Sequence, residues 1–201
     1  MMLKVTKNSV EHNIKIGYQG VENSNNYIAA KKFVESNKME NYVLVPLTSS
    51  KNVVNHLISK EIDLGIMAVS NSIIGQVRET KNAVDNKDLT EISRIELNIK
   101  HVAFKLKGDL SNLNVKYVAS HEAALGQCKN NIQLNYPNAE LIPIGNTGLG
   151  PQMLVDGKLD SSSVILCPRE AGEKYGLVMD HENLSDTNDN VTSFGIFKVT
   201  S

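Results

Sequence analysis

The 201-residue sequence has two cysteines, no excess of basic residues and no long apolar run. Cys128 and Cys167 stand in neither a CxxC pair nor a Cys/His cluster, which excludes a zinc site of the usual spacing. They read as buried, reduced thiols, the state expected in a cytosol. Lys and Arg number 21 against 22 Asp and Glu, for a net charge of -1. No basic patch dominates, so a nucleic-acid partner is not expected. A small anion remains possible, because it needs only a local site. No run approaches the roughly 18–20 apolar residues of a membrane helix. The opening "MMLKVTKNSVEHNIKIGY" lacks an apolar core and a small-residue cleavage site, so no secretory leader is expected and a cytoplasmic location is. GxSxG, HExxH and P-loop motifs are absent. There is no internal repeat, low-complexity tract or long linker.

What is present is a rhythm. Hydrophobic residues make up 41% and charged residues 21%, an ordinary globular balance. "IKIGY" (14–18) reads as a strand. A helix over 24–36 follows, with Ser24 as N-cap and Ile28, Ala29, Phe33 and Val34 on one stripe. "YVLVPL" (42–47) and "DLGIMAV" (63–69) are strands around a helix over 49–60 that carries Val53, Val54, Leu57 and Ile58. A further helix runs through about residue 84. Residues 89–106 read as one long or two consecutive strands. Strands at 116–121, 139–145 and 162–168 then alternate with helices at 122–136, through 154 and at 169–177. Gly176 stops the last helix. "LVMD" and "TSFGIFKV" complete the sheets.

Alternating βα units mean parallel sheets covered by helices. The expected fold is α/β, with two α/β lobes and a central cleft: lobe 1 at about 14–88 plus 184–200, lobe 2 at about 89–183. Ligands in such folds sit at the carboxyl ends of strands, against helix N-termini. Five strand-to-helix junctions can face one cleft: residues 17–26, 69–75, 119–128, 145–150 and 166–172. N-capping and tight turns explain any one of them; the set suggests a site for a small anionic ligand. "GNTGLG" (145–150) does not fit GxGxxG. His121 follows a strand and can titrate near neutrality. His12, His56, His101 and His181 fall in unrelated contexts.

Read in order, the junctions resemble the prephenate dehydratase family. "YQGVENSNNYIAA" (18–30) looks like its first motif and "VSNSIIGQV" (69–77) its Glu-Asn-Ser…Gly motif. "SHEAALGQC" (120–128) matches its Ser-His…Ala-Leu…Gln-Cys motif. "GNTGLG" parallels its Ser-Thr-Ala turn, "REAGEKYGL" (169–177) its Tyr-Gly-Leu stretch, and "LSDTNDNVTSF" (184–194) its Asn-x-Thr-Arg-Phe ending. The series spans about residues 14–199. The resemblance implies one catalytic unit of periplasmic-binding-protein type II fold, without a regulatory ACT domain, and dimers are usual among such relatives. It implies loss of water and carbon dioxide from prephenate to give phenylpyruvate, with no metal or organic cofactor. Thr192 matches the catalytic Thr that donates to the departing hydroxyl. Asn71, Ser72, Ser120, His121, Gln127, Asn146, Thr147, Ser193 and Phe194 fall at substrate-binding positions.

Departures cluster around those positions. The family's Glu is Ser70, a Pro is Ala68, and the Arg after the Thr is Ser193. Pro-Gln becomes Glu122-Ala123, and the turn's Ser becomes Asn146. Asn23 and Asn25 replace a Gly and an aromatic. Backbone amides at 72–73, 121–122 and 147–148, or Arg169, are candidates to replace the lost Arg. Three readings stay open: a divergent prephenate dehydratase, a non-aromatising prephenate decarboxylase, and a non-catalytic binder of a small anion.

Overall fold

The computed structural model describes residues 13–108 and 115–200; most of the opening segment read for a leader lies outside them. The first sheet has strand order β2-β1-β3-β11-β5. β1 (Ile14–Gln19), β2 (Tyr42–Leu47) and β3 (Leu64–Asn71) are parallel, and β4 (Gly75–Gln76) turns back on β3. β11 (Val191–Val199) lies antiparallel between β3 and β5 (Leu89–Asn98). α1 (Asn25–Ser36) starts where Ser24 Oγ accepts from the Tyr27 amide. α2 (Ser50–Ile58) starts where Ser49 Oγ accepts from Asn52. Each cap satisfies one of the donors a helix start leaves free.

Period-2 alternation along β11 sends Phe194 and Ile196 to one face and Phe197 to the other. The first pair packs with Ile16, Tyr18 and Ile66 under α1 residues Ala29, Ala30, Phe33 and Val34. Phe197 packs with Leu47, Met67 and α2 residues Val53, Val54 and Leu57. Two stripe residues sit further out than expected: Ile28 is half-buried and Ile58 exposed. α3 (Arg78–Val84) closes the lobe.

The second sheet has order β10-β6-β9-β7-β8. β7 (Tyr117–Ser120), β8 (Glu140–Pro143) and β9 (Ser163–Cys167) are parallel. β6 (Val102–Lys105) runs against β9 and β10 (Val178–His181). The helix expected over 122–136 is two, α4 (Glu122–Gln127) and α5 (Lys129–Asn135). The break at Cys128 lets the Asp186 carboxylate accept from the Asn130 and Asn131 amides, starting α5 afresh. α6 (Gly150–Val155) and α7 (Arg169–Lys174) cover the other face. Both cysteines are buried and free. Burial, with Asp186 adding to it, pushes the Cys128 thiol up to about 12. A buried ion pair, Lys105 Nζ to Asp180 Oδ1 at 2.7 Å, lies across β6 and β10. Tyr136 donates its hydroxyl to the other Asp180 oxygen.

Both sheets are therefore mixed rather than parallel, because each takes in strands that follow a crossover. The lobe boundary at residue 89 also moves: β5 pairs with β11 in the first sheet. The chain passes to the second sheet between residues 98 and 102 and returns between 181 and 191. These two crossings touch, with the Ile99 amide donating to Asn190 O at 2.6 Å.

Candidate active site

Topology decides where the site lies. β1, β2, β3 and β5 end at one edge of the first sheet, and antiparallel β11 begins there. β7, β8 and β9 end at the facing edge of the second sheet, where β6 begins. Between these edges is a cleft of about 270 Å³. Gln127, His121, Asn146 and Thr147 line it from the second lobe, and Asn71, Thr192 and Phe194 from the first.

Asn71, last in β3, is the direct cross-strand neighbour of Thr192, second in β11. Asn71 Oδ1 accepts from the Ile73 and Ile74 amides at 2.9 and 3.2 Å. Only an oxygen can accept two N–H groups, so the orientation of this amide is fixed. Asn71 Nδ2 then donates to Thr192 Oγ1 at 2.8 Å and to Asn190 Oδ1 at 2.7 Å. Asn190 in turn presents Nδ2 to Gln127 Oε1 at 3.0 Å. Gln127 Oε1 also accepts from His101 Nε2 at 2.7 Å, so that nitrogen carries the proton. Burial holds His101 below the ordinary histidine range, with the Gln127 bond offsetting part of the shift. One orientation thus passes from two backbone amides through five side chains and across both lobes. Its effect at Thr192 is specific: Oγ1 is occupied as an acceptor, and its own proton is free to donate into the cleft.

Three expected residues do not line the cleft. Ser120 is fully buried and donates to Leu166 O at 2.7 Å. Ser72 donates to Asp189 O at 2.6 Å and accepts from the Val191 amide, tying the β3 turn to the start of β11. Ser193 points to the opposite face of β11 and donates to Glu96 Oε1 at 3.2 Å. These three support the site rather than face it. Phe194 is 1% exposed and forms the apolar floor beside Thr192. His121 lines the cleft and caps α4, its Nδ1 accepting from the Ala123 amide at 3.3 Å.

Three of the six amides expected to replace the missing Arg, and Arg169 itself, are engaged elsewhere. The Ser72 amide bonds Val191 O, that of Ile73 bonds Asn71, and that of Gly148 bonds Asn146 Oδ1. Arg169 pairs with Glu182 and Glu173. Among the described residues the lining includes no lysine or arginine and one carboxylate, Glu79. Glu79 Oε1 accepts from the Ser50 amide at the start of α2 and Oε2 from Gln19 Nε2, both at 2.9 Å. Among the lining residues that the sequence did not single out are His101, Asn190 and Glu79. His101 and Asn190 sit on the crossings, and Glu79 sits on a helix that reads as surface. Asn190 at least lies within the Asn-x-Thr ending. Among the described residues no group of three or more His, Cys, Asp or Glu is placed to hold a metal, and no helix is long and apolar enough to cross a membrane.

Comparison with known proteins bears on this geometry. The family model for prephenate dehydratase matches residues 16–201. A bifunctional chorismate mutase/prephenate dehydratase from Pseudomonas aeruginosa is 24% identical over 187 residues, covering 92% of this chain and 49% of that protein. The chain thus spans about half the length of such curated relatives. The prephenate dehydratase of Arthrobacter aurescens, solved with L-Phe, superposes with a TM-score of 0.78 at 21% identity, over 92% of this chain and 60% of that one. A periplasmic substrate-binding protein from Coxiella burnetii superposes at 0.50 with 7% identity, over 93% and 84% of the two chains. The two-lobed fold is shared with binding proteins, whereas the family match covers nearly the whole chain and the Asn71–Thr192 pair at its cleft. The chain belongs to the prephenate dehydratase family.

Proposed function

We propose that this protein is a lyase that aromatises prephenate, or a closely related cyclohexadienyl carboxylate, with loss of water and carbon dioxide. The observation that carries this reading is the Thr192 hydroxyl at the cleft, whose oxygen accepts from Asn71 Nδ2 and which can therefore offer its own proton to a ligand. In the reaction the bond from ring to carboxylate breaks, and its electron pair becomes a ring double bond. The ring C–O bond breaks at the opposite position and hydroxide leaves. Aromatisation supplies the driving force. The protein holds the substrate in the reactive pose and offers a hydrogen bond to the departing oxygen. A Thr hydroxyl is a weak acid, so Thr192 stabilises developing charge without giving up its proton. Phe194 floors the ring, while His121 and Thr147 are donors for carboxylate oxygens.

The residues needed are all side chains of this chain, so the reading requires no metal or organic cofactor. It includes action in the cytoplasm and assembly as a homodimer, which sedimentation analysis of the purified protein tests. The test of the reaction is to mix the protein with prephenate at neutral pH and follow ultraviolet absorbance and product mass. Phenylpyruvate at a rate well above the spontaneous one supports the reading. A decarboxylated product that keeps its ring hydroxyl replaces it with non-aromatising decarboxylation. Untouched prephenate that raises the melting temperature saturably replaces it with a binder.

A further inference from the structure

We infer that a second pocket, behind the candidate active site on the far face of the first sheet, binds a small carboxylate that carries an apolar body. The inference stands apart from the lyase reading, because it uses none of the residues that line the cleft. The pocket lies between α3 and the strands, and its volume of about 270 Å³ equals that of the cleft. Val69, Val84 and Phe197 give it an apolar lining, and Ser70, Lys81 and Arg94 give it hydrogen-bond donors. An apolar pocket with a few placed polar groups is the usual make-up of a small-molecule site.

Strand register builds the pocket. Phe194 is paired with Ala68 and Ser193 with Ser70, so Val69 is an extra residue in β3 with no partner of its own. Such a bulge re-aims the side chains around it. Ala68 and Asn71 line the cleft, and the two residues between them, Val69 and Ser70, line the second pocket. α3 is divided in the same way: Glu79 reaches the cleft, while Thr80, Lys81 and Val84 reach the pocket. Gly195 makes room for the Phe197 ring, since a Cβ there would come within 2.7 Å of it.

The polar groups select one negative charge. Arg94 is held by Glu91, with Nε and a terminal nitrogen donating to the carboxylate at 2.6 and 3.0 Å. The remaining N–H groups of its guanidinium are unspent. That pair is neutral as a whole, so Lys81 sets the sign of the lining. Its Nζ has no hydrogen-bond or ion-pair partner among the described residues. A single carboxylate answers Lys81, whereas a doubly charged anion would stand against Glu91. Residue 70 supplies the place for it. It is Ser where the prephenate dehydratase family carries Glu, and its direct cross-strand neighbour, residue 193, is Ser where that family carries Arg. The register makes these two departures one exchange, in which an opposed carboxylate and guanidinium give way to two hydroxyls. Ser193 turns to Glu96. Ser70 Oγ has no partner among the described residues, and the wall beside it lacks the carboxylate that a Glu would bring. A ligand carboxylate takes that place, with its apolar body against Val69, Val84 and Phe197.

The probe is hydrocinnamate, a phenyl ring on a short saturated acid with no keto, hydroxyl or amino group, titrated into the isotope-labelled protein and followed by amide NMR shifts. Saturable shifts at the Ser70, Lys81, Val84 and Phe197 amides are expected, with a Kd in the millimolar range or below. Lys81→Met and Ser70→Glu should each raise that Kd at least about ten-fold, the first by removing the cation and the second by planting a carboxylate where the ligand's would sit. Hydrocinnamamide, the neutral counterpart, should bind more weakly by a similar factor. Lys81 is exposed and Ser70 half-buried, and the spectrum of each variant without probe shows whether it has folded. If one has not, the other variant and hydrocinnamamide decide. Shifts confined to cleft residues such as Thr147 and Thr192, a Kd that folded Lys81→Met leaves unchanged, or an amide that binds as tightly as the acid overturns the site. So does the absence of shifts up to about 10 mM probe.

Discussion

Asn71 and Thr192 face each other across β3 and β11, and the Asn71 amide donates to the Thr192 hydroxyl oxygen at 2.8 Å. They are 121 residues apart in sequence. The strand register brings them together, and the backbone amides of Ile73 and Ile74 decide which end of the Asn71 side chain does the donating.

Replacing that amide by a carboxylate of the same shape reverses the arrangement. In Asn71→Asp one oxygen still accepts from the backbone, but the other now accepts from Thr192 and turns its proton away from the cleft. A fall in kcat of about 10²-fold is expected. The variant also sets a carboxylate oxygen against buried Asn190 Oδ1, so stability should fall by about 1–3 kcal/mol. Steady-state kinetics and urea denaturation measure the two effects separately. An unchanged kcat would show that the direction of the Thr192 proton does not matter.

His101 couples the same network to pH. Burial holds its folded value below the 6.5 of a free histidine, with Gln127 opposing in part. Between those two values the unfolded chain binds the proton more readily, so stability falls as pH drops below about 6.5. Above it both states are neutral and the contribution is constant. Thermal melts of wild type and His101→Gln from about pH 7.5 down to about pH 5.5 are the measurement. The variant should lose less melting temperature over that window. Equal losses would contradict a buried neutral His101.

The Lys105–Asp180 pair tests the second lobe. Both side chains are about nine-tenths buried. Burial pushes the Asp180 carboxyl up, yet hydrogen bonds from Lys105 and Tyr136 leave it below the usual carboxylate range. Lys105→Met should cost about 3–5 kcal/mol by leaving that charge uncompensated, and adding Asp180→Leu should restore a large part of it. Equilibrium urea unfolding of the single and double variants checks both halves. A near-neutral single variant would mean that Tyr136, His181 and solvent carry the Asp180 charge without Lys105.

Much of the fold was legible because caps and periodicities are local. Ser24, the α1 stripe and Gly176, with its φ of 68°, announce themselves within a few residues. Strand direction did not, because β5, β6 and β11 take their places through crossings that no local pattern encodes. The ordered junctions brought Asn71, His121, Gln127, Asn146, Thr147, Thr192 and Phe194 to one cleft. The junctions could not separate residues that face the cleft from Ser72, Ser120 and Ser193, which brace it from behind. Facing depends on a turn bond, on β7 burial and on β11 alternation. His101 was passed over because nothing near it in sequence is polar in the right way. Its partner Gln127 lies 26 residues on, in the other sheet's first helix. Glu79 was passed over because an exposed carboxylate in a short helix has no sequence signal for its bonds to Ser50 and Gln19.

The most direct measurement is turnover by wild type, Thr192→Ser and Thr192→Ala on whichever cyclohexadienyl substrate the protein accepts. Ser keeps a hydroxyl in the place where Asn71 donates; Ala keeps the fold and loses the hydroxyl. A donor role for Thr192 requires Ser to stay within about ten-fold of wild type in kcat, and Ala to fall about 10²-fold or more with little change in melting temperature. Equal kcat in Thr192→Ala and wild type would remove Thr192 from the chemistry and with it the aromatising reading.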